Sequence, residues 1–415
     1  MIDLKLLRKN FDEYKVKILK KDPKFPIQDL IDLDEKRIQK KIFLDDLLFQ
    51  SNAIALSGKS GNISEEHKTK AREIQREIEK IKIEYNELEE KFNFLYLRCP
   101  NIPNDLIPFG NKEHNKIVSI FGEKPLFDFT PKTHVDLLEH KHIVDFKRGA
   151  KIAKSGFVFY HTIAAQFIYR LTHIFLKHNQ SFGFNMVLPP YVISKEGLTA
   201  ASNLPRFEED VFTLPEDNLY LVPTAEVAIN YIHAEEILLE EHLPLRYTAW
   251  TPCFRREAGG YGSNERGLMR IHQFEKVEIF SFATAEKSYQ EQDYMIKCAE
   301  SILQKFKLHY HISLLAAEDC SFASARTFDI EVWLPGQNQY REISSISNCT
   351  DFQSRRSKTR YKDNAQKTSL VHTLNGSCFA IPRLLIALFE TYQDRNGNIL
   401  LDEIDKLLLS IEKTL

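Results

Sequence analysis

A long heptad repeat near the N-terminus restricts the fold of this chain more than any other feature. Between residues 74 and 95 the apolar positions are separated by alternating steps of four and three residues, and charged residues fill the positions between them. This 3.5-residue spacing is typical of a helix that packs in a coiled coil. The apolar seam consists of Ile74, Ile78, Ile81, Tyr85, Leu88, Phe92 and Leu95.

A second helix-like stretch, residues 31–56, precedes this seam and has a poorer repeat. If Ile38 and Ile42 set its register, Asp45 and Asn52 fall on seam positions. Two such helices, joined at a tip and packed antiparallel, would form an arm. At about 1.5 Å per residue, some 25 residues predict an arm of roughly 40 Å.

The polar stretch Ser57–Asn62 separates the two helices, and Ser64 marks the start of the second. Gly58-Lys59-Ser60 resembles the end of a phosphate-binding P-loop. However, Ala53 stands where the first glycine of that motif is required, and no strand precedes it. We therefore interpret this stretch as a loop.

A segment rich in proline and asparagine, Cys99–Gly110, prevents helix continuation and marks a domain boundary. A chain of 415 residues exceeds one ordinary core, so we expect a helical domain at residues 1–110 and a second domain at residues 111–415. In the second domain several β-rich runs follow one another without a helix between them. This order favours an antiparallel α+β fold.

Composition excludes several classes of protein. Lys+Arg number 56 and Asp+Glu 58, giving a net charge of −2, so a polyanion would have to bind local patches. The six cysteines include no CxxC pair, which argues against a zinc finger and a secreted disulfide scaffold and favours a reducing cytoplasm. No apolar run approaches the roughly 20 residues that span a bilayer. We expect a cytoplasmic protein without a membrane partner.

Residues 254–257 and 267–278, on either side of a glycine-rich stretch, combine cationic, aromatic and acidic residues. We expect both to be strands of one hairpin, in which side chains two apart share a face. Arg255 and Glu257 would then point together. Arginine suits phosphate oxygens, a phenyl ring stacks on a base, and a carboxylate accepts from an exocyclic amine, so the face suits a nucleoside triphosphate. The alternative is an exposed hairpin with cross-strand ion pairs. The return strand would place Arg270, His272, Phe274, Lys276 and Glu278 on that face.

Residues 254–278 closely resemble motif 2 of class II aminoacyl-tRNA synthetases, in the form found in seryl-tRNA synthetases of bacterial type. The strings at residues 223–226, 340–345, 351–356 and 371–377 resemble the same family in the same order. The resemblance covers essentially the whole chain, including the arm. Several long strings in order are more specific than any single short motif.

The resemblance implies a class II catalytic domain, built on an antiparallel sheet, with an N-terminal coiled-coil arm that binds tRNA. It implies a serine–tRNA ligase that activates L-serine with ATP and Mg²⁺ and charges tRNA(Ser). Residues 187–192 resemble motif 1, which implies a homodimer. The arm's candidate RNA contacts, which ordinary solvated helix faces would also explain, are Lys40, Lys41, Lys59, Lys68, Lys70, Arg72 and Arg76.

The resemblance also implies roles for individual residues in the nucleotide site. Arg255 would hold the α-phosphate, and Arg270 the phosphates. Glu257 and Phe274 would bind the adenine, while Arg383 would neutralise the far end of the triphosphate. The remaining nucleotide-site candidates are Arg256, Ile271, Ile343 and Ser344.

Serine and magnesium sites follow from the same resemblance. Glu342 and Ser345 would be the Mg²⁺ ligands, but residues three apart on a regular strand face opposite ways, so this pair requires a bend or a strand end. Two carboxylates near one small amino acid would match its ammonium and hydroxyl groups. The serine-site candidates are Thr224, Ala225, Glu226, Glu278 and Ser377.

Structural alternatives exist for these residues. Thr224 and Glu226 would also suit the polar end of a strand, Ser377 a turn after Asn375-Gly376, and Arg383 the first turn of an apolar helix.

Three stretches depart from the family pattern: residues 154–157, residues 199–207, and Cys378-Phe379. Cys378 stands where the family pattern has a glycine, and the loss of this glycine would affect the loop geometry beside the serine pocket. These departures motivate a second hypothesis, a catalytically reduced homologue that binds tRNA, serine or ATP without efficient charging. A purely structural coiled-coil protein is a third hypothesis, but it would not need the hairpin chemistry.

Overall fold

The computed structural model describes residues 1–57, 65–138, 143–258 and 267–415. The chain divides into two compact units. One is Asp3–Cys99, and the other combines Met1–Ile2 with Pro100–Leu415. The assignment of functions to residues 1–110 and 111–415 stays a prediction.

The N-terminal unit is helical. It contains α1 (Leu4–Lys9), α2 (Phe11–Lys21), α3 (Ile27–Ser57) and α4 (Glu65–Tyr96). The 31 residues of α3 extend about 46 Å at ~1.5 Å per residue.

The two long helices, α3 and α4, pack against each other as the predicted antiparallel pair. Arg37 bonds to Glu89 and Lys40 to Glu84, so later residues of one helix meet earlier residues of the other. The predicted seam of α4 is confirmed, because it supplies most of the apolar contact. The buried cluster between the helices is Leu44, Leu47, Ile74, Ile78 and Ile81.

Ile38 and Ile42 do not set the register of α3. Ile42 is 64% exposed, and the buried positions are Leu44 and Leu47. Asp45 and Asn52 are therefore exposed rather than on the seam. Helix α3 carries apolar residues on more than one face, so spacing alone did not select the face that meets α4. Most of the predicted tip, with its Gly58-Lys59-Ser60 stretch, lies outside the described residues.

An eight-stranded sheet forms the centre of the second unit within the described ranges. Its order is β1-β11-β12-β13-β16-β10-β9-β4. All neighbouring pairs are antiparallel except β4 and β9. The predicted antiparallel α+β class is confirmed. The strands of this sheet are β1 (Lys116–Phe121), β4 (Asn185–Met186), β9 (Leu245–Phe254), β10 (Gln273–Ala283), β11 (Tyr310–Leu314), β12 (Arg326–Leu334), β13 (Gln339–Asn348) and β16 (His372–Ala380).

Smaller sheets surround it. They pair β2 with β3, order β5-β7-β6, and order β15-β14-β8. Their strands are β2 (Val144–Asp145), β3 (Phe159–Tyr160), β5 (Val192–Ser194), β6 (Thr213–Leu214), β7 (Leu219–Leu221), β8 (Ile237–Leu239), β14 (Arg360–Lys362) and β15 (Thr368–Leu370).

Helices cover the large sheet and contribute to its main core cluster. The apolar residues of α12 are fully buried there, together with the buried faces of α7, α10 and α13. None of the described helices is both long and apolar enough to cross a membrane. The helices of this unit are α5 (His134–Leu138), α6 (Phe146–Ala153), α7 (Thr162–Ser181), α8 (Lys195–Ala200), α9 (Ala225–Tyr231), α10 (Ser288–Lys305), α11 (Ser354–Ser357), α12 (Ile381–Thr391) and α13 (Leu401–Glu412).

The predicted hairpin is shorter than expected. Strand β9 ends at Phe254 and β10 begins at Gln273, so Arg255, Glu257 and Arg270 do not lie on strands. The backbone leaves the strand here because Asp210 accepts two hydrogen bonds from it. The Arg256 amide donates to the Asp210 carbonyl at 2.8 Å, and the Ala258 amide donates to Asp210 Oδ1 at 3.0 Å. Strand alternation therefore does not explain why Arg255 and Glu257 lie close together. The glycine-rich residues 259–266 lie outside the described part of the chain.

Candidate active site

A hollow of about 310 Å³ opens on the large sheet beside β10, β13 and the start of α12. Its wall combines residues far apart in the sequence, which brings together cations, carboxylates and an aromatic ring. Most of the predicted nucleotide-site residues lie in this wall. The predicted residues found there are Arg255, Glu257, Arg270, Ile271, Phe274, Glu342, Ile343, Ser377 and Arg383.

Arg255 and Phe274 form one side of the hollow. The guanidinium carbon of Arg255 lies 5.3 Å from the centre of the Phe274 ring. Arg255 Nε donates to the Pro223 carbonyl at 3.2 Å, which fixes the side chain. Within the described ranges its terminal nitrogens make no hydrogen bond, so they suit an anion. A flat apolar ring beside a fixed guanidinium suits an aromatic base joined to phosphate.

Glu257 and Arg270 form an ion pair across the two legs of the motif 2 segment. Arg270 Nε lies 2.7 Å from Glu257 Oε2, and both side chains are partly buried. Glu257 has a φ of +51°, an uncommon backbone conformation for this residue type. In this arrangement each group compensates the charge of the other. A nucleotide that used both would have to separate them.

Arg383 extends from the first turn of α12 toward β13. Its Nη1 lies 3.1 Å from Glu342 Oε2 and donates to the Glu342 carbonyl at 2.9 Å. Pro382 occupies the helix start, where its missing amide hydrogen leaves no bond unmade. The helix start thereby holds the guanidinium in the hollow. The interpretation of Arg383 as only a first-turn residue of an apolar helix is therefore incomplete.

Strand β13 contains the irregularity that the Glu342 and Ser345 pair requires. Ile330 pairs with Ser344, whereas the next residue of β12, Glu331, pairs with Glu342, so Ile343 is an extra residue. One inserted residue reverses the alternation of side chains. Glu342 and Ser345 can therefore face the same side of the sheet.

Asp329 provides a test of whether this position suits a metal ion. It is opposite Ser345 in the β12–β13 register, and its Oδ1 is buried with no hydrogen-bond partner among the described residues. Burial and the nearby Glu342 carboxylate raise the pKa of Asp329 well above its ordinary value. Crowded hard oxygen donors with an unsatisfied buried atom fit a divalent cation such as Mg²⁺. Asp329 was assigned no functional role from the sequence.

Among the described residues, no three or more His, Cys, Asp or Glu side chains form a cluster that could hold a metal ion. Mg²⁺ is commonly held by one or two carboxylates plus substrate phosphates and water. The donor set here is consistent with an ion that arrives with a nucleotide.

The candidate serine residues Thr224 and Glu278 meet behind the hollow. Thr224 caps the N-terminus of α9, where its Oγ1 accepts from the Glu226 amide at 3.3 Å. The same hydroxyl donates to Glu278 Oε2 at 3.2 Å. Lys276, which lies in the wall of the hollow, contacts both residues. Thr224 is thus a helix cap rather than the end of a strand.

Glu226 lies beside Glu278. Its Oε1 accepts hydrogen bonds from Gln353 Nε2 at 2.8 Å and from Asn375 Nδ2 at 3.2 Å. Burial, together with the neighbouring Glu278 carboxylate, raises the pKa of Glu226 to about 7. A carboxyl that titrates near neutrality responds strongly to an approaching ammonium group.

Ser377 lies within β16 and not in a turn, and its partner in β10 is Glu278. The concern about loop geometry at Cys378 is not supported, because Cys378 is a buried strand residue whose Sγ donates to Asn179 Oδ1 at 3.2 Å. Two residues of β16 oppose one residue of β10 at this point, and Phe379 takes a φ of +147°. The backbone irregularity therefore falls on Phe379 rather than on Cys378.

Some predicted residues are not in the wall of the hollow. Arg256 is exposed and lies outside it. Ala225 is buried, and Ser344 donates to the Ser377 carbonyl. Thr224, Glu226, Glu278 and Ser345 lie behind the wall or beside it rather than in it.

Sequence reasoning assigned no role to several residues of the wall. Lys276 was placed on the correct face but given no function. Tyr340 and Arg341 adjoin Glu342, and that proximity was the available signal. Lys112 follows the proline-rich boundary, where no periodic pattern indicates a site. The unassigned polar and basic residues are Lys112, Lys276, Tyr340 and Arg341.

Two family models match the chain. Residues 210–392 match the tRNA synthetase class II core domain (G, H, P, S and T). Residues 1–103 match the seryl-tRNA synthetase N-terminal domain.

Curated relatives match over the full length. Serine–tRNA ligase of Chlamydia abortus is 39% identical over 422 residues, covering 100% of both chains. Serine–tRNA ligase of Nautilia profundicola is 42% identical over 419 residues, covering 99% of this chain and 100% of the relative.

Among solved structures, seryl-tRNA synthetase from Pyrococcus horikoshii in complex with ATP superposes with a TM-score of 0.86. It is 32% identical and covers 96% of this chain and 95% of that one. Together with the hollow and the helical pair, these matches show that the chain belongs to the seryl-tRNA synthetase family of class II aminoacyl-tRNA synthetases.

Proposed function

We propose that this protein is a serine–tRNA ligase that activates L-serine with ATP and transfers it to the 3′ end of tRNA(Ser). One observation carries the proposal. Arg255, Phe274 and Arg383, from three separate parts of the sequence, line the same hollow. An aromatic ring can stack on the adenine base, and two guanidinium groups can bind the α-phosphate and the terminal phosphate.

In the first step, the serine carboxylate attacks the α-phosphorus of ATP in line, and pyrophosphate leaves. No protein nucleophile is required, so positioning and charge neutralisation account for the rate. Arg255 binds the α-phosphate and Phe274 stacks on the adenine. Binding separates the Glu257–Arg270 ion pair, because Arg270 turns to the phosphates and Glu257 to the adenine amine.

Glu342 and Ser345 would hold Mg²⁺, which neutralises triphosphate charge when bound. Arg383 retains its bond to the Glu342 carbonyl while its guanidinium faces the far end of the triphosphate. Thr224, Glu226, Glu278 and Ser377 orient the serine. In the second step, a terminal ribose hydroxyl of the tRNA attacks the adenylate carbonyl and releases AMP.

The helical pair is assigned to tRNA binding, with residues 1–110 as the tRNA-binding domain and residues 111–415 as the catalytic domain. Lys70, Arg72 and Arg76 are exposed on α4, where they suit phosphate contacts. Lys40, Lys41 and Lys68 instead pair with carboxylates of the same unit. Lys59 lies outside the described residues.

We also propose a homodimer that is located in the cytoplasm. Residues 187–192, the motif 1 segment, follow directly on strand β4 at one edge of the large sheet. Met186 and Leu188 are more than half exposed there, as expected for a surface that a second subunit covers. All six cysteines lie within the described residues, where they are buried and form no disulfide, which suits a reducing compartment. Light scattering coupled to gel filtration tests the dimer.

The hypothesis of a catalytically reduced homologue has no observation in its favour. Cys378, one of the substitutions that motivated it, is a buried strand residue, and its side chain bonds to Asn179 on α7. The residues proposed for phosphate and adenine are all present.

The direct test of the ligase is aminoacylation with labelled serine. Purified protein, ATP, Mg²⁺ and tRNA(Ser) should give acid-precipitable serine, and omission of any one should abolish it. Folded protein that binds ATP but transfers no serine to tRNA(Ser) would refute the proposal.

A further inference from the structure

A buried lysine contacts the carboxylate that is expected to bind the substrate ammonium. The role inferred for it rests on the function proposed above. Lys276 Nζ donates to Thr224 Oγ1 at 2.7 Å and lies 2.5 Å from Glu278 Oε2. The Lys276 and Glu278 side chains are only 8% and 2% exposed. Buried lysine is uncommon unless it is paired, so the position calls for an explanation.

The contacts are concentrated on one oxygen of Glu278. Thr224 Oγ1 and Lys276 Nζ both meet Oε2, at 3.2 Å and 2.5 Å. A carboxylate accepts at two oxygens. Neither of these two contacts involves Oε1, which therefore stays available for a ligand.

The charges around the pocket give the lysine a second effect. Glu278 is surrounded by Glu226 on α9, Lys276 on its own strand and Arg255 beyond β9. The thiols of Cys253 on β9 and Cys378 on β16 are also close, but burial raises the pKa of both, so they stay uncharged. Without Lys276, two carboxylates would share a buried space with Arg255 as the remaining nearby cation. Lys276 therefore offsets part of the repulsion between the two carboxylates.

We propose that Lys276 is a positioning residue for serine: its ammonium group occupies Oε2 of Glu278, so that Oε1 faces the substrate ammonium. The lysine thus sets the orientation of the Glu278 carboxylate without contacting the reacting atoms.

The test is Lys276→Met, which preserves length and removes the charge. Pyrophosphate exchange is measured against serine and ATP at pH 8. The serine KM should rise about tenfold or more while kcat falls by less than about threefold, because the lysine orients the carboxylate and does not touch the reacting atoms. The ATP KM should stay within about threefold, since no phosphate contact is removed.

Arg246→Met is the matched control. Arg246 lies on β9 and forms a two-bond ion pair with Glu291 on α10, at 2.7 Å for both bonds and outside the hollow. The Arg246→Met variant should lose thermal stability without a change in serine KM. If Lys276→Met does not fold, Lys276→Gln replaces it.

Glu278→Gln completes the comparison. In that background the Lys276 substitution should add little to the serine KM, because its effect acts through Glu278. An unchanged or lowered serine KM, a fall in kcat as large as the rise in KM, or additive effects of the two substitutions would each overturn the inference. Wild-type protein that shows no serine-dependent exchange would instead overturn the proposed function.

Discussion

Arg383 Nη1 donates to the main-chain carbonyl of Glu342 at 2.9 Å and lies 3.1 Å from the Glu342 carboxylate. These bonds join the start of α12 to the bulged strand β13. The carbonyl bond does not depend on the carboxylate. Glu342 can therefore turn toward a metal ion while the guanidinium stays aimed into the hollow.

Arg383→Ala should lower kcat/KM for ATP in pyrophosphate exchange by about 10²–10³, because a preorganised charge in a water-poor site is removed. Serine KM should change little. The control is Arg395→Ala, which removes an exposed ion pair with Asp128 and should leave exchange unchanged. Equal losses in both variants would contradict the assigned role.

Serine binding should release a proton and should tighten as pH rises. Glu226 has a pKa of about 7 in the empty site, so at pH 6 it is mostly protonated. The serine ammonium favours the carboxylate and lowers this pKa. Affinity should therefore increase about tenfold from pH 6 to pH 8 and level off above it.

Calorimetry in two buffers of different ionisation enthalpy measures this proton release directly. In Glu226→Gln the release at this position should disappear. An affinity that falls between pH 6 and pH 8 would show that the sign is wrong.

Ser202→Gly should stabilise the protein by about 1 kcal/mol. Ser202 ends α8 in a Schellman motif, where Asn203 N bonds to the Leu198 carbonyl and Ser202 N to that of Thr199. Its φ is +76°, and its hydroxyl is buried without a partner among the described residues. Glycine removes both the strain and the unpaired hydroxyl, which outweighs its greater entropy when unfolded.

Urea unfolding monitored by circular dichroism provides the measurement. Asn338→Gly is the control, because Asn338 has a φ of +52° but is exposed, and asparagine tolerates this conformation. The control should change stability by less than about 0.5 kcal/mol. A destabilised Ser202→Gly variant would contradict the backbone argument.

Deletion of residues 38–95, replaced by a short Gly-Ser linker, should separate the two reactions. Exchange should stay within about twofold of wild type, because no residue of the hollow is removed. Charging of tRNA(Ser) should fall about a hundredfold or more through loss of phosphate and ribose contacts. Equal loss of both activities would contradict the division of roles.

Local patterns predicted the parts of this fold that depend on local spacing. The α4 seam followed from its heptads. The need for a bend between Glu342 and Ser345 followed from strand alternation, and the extra residue Ile343 supplies it. Lys276 and Glu278, two apart on one strand, were placed on the correct face.

Long-range contacts determine the features that local sequence patterns did not predict. The end of β9 depends on Asp210, about 45 residues away, which captures the backbone after Phe254. The register of α3 depends on which face meets α4. Lys112 reaches the hollow from a segment without periodicity, so no spacing rule could indicate it.

Serine-dependent exchange of pyrophosphate into ATP tests the central claim most directly, because it requires the triphosphate and the amino acid to occupy adjoining sites. The account predicts rapid exchange with serine, little with threonine or alanine, and loss of exchange in Arg255→Ala. Exchange that does not depend on serine, or that persists without Arg255, would contradict it.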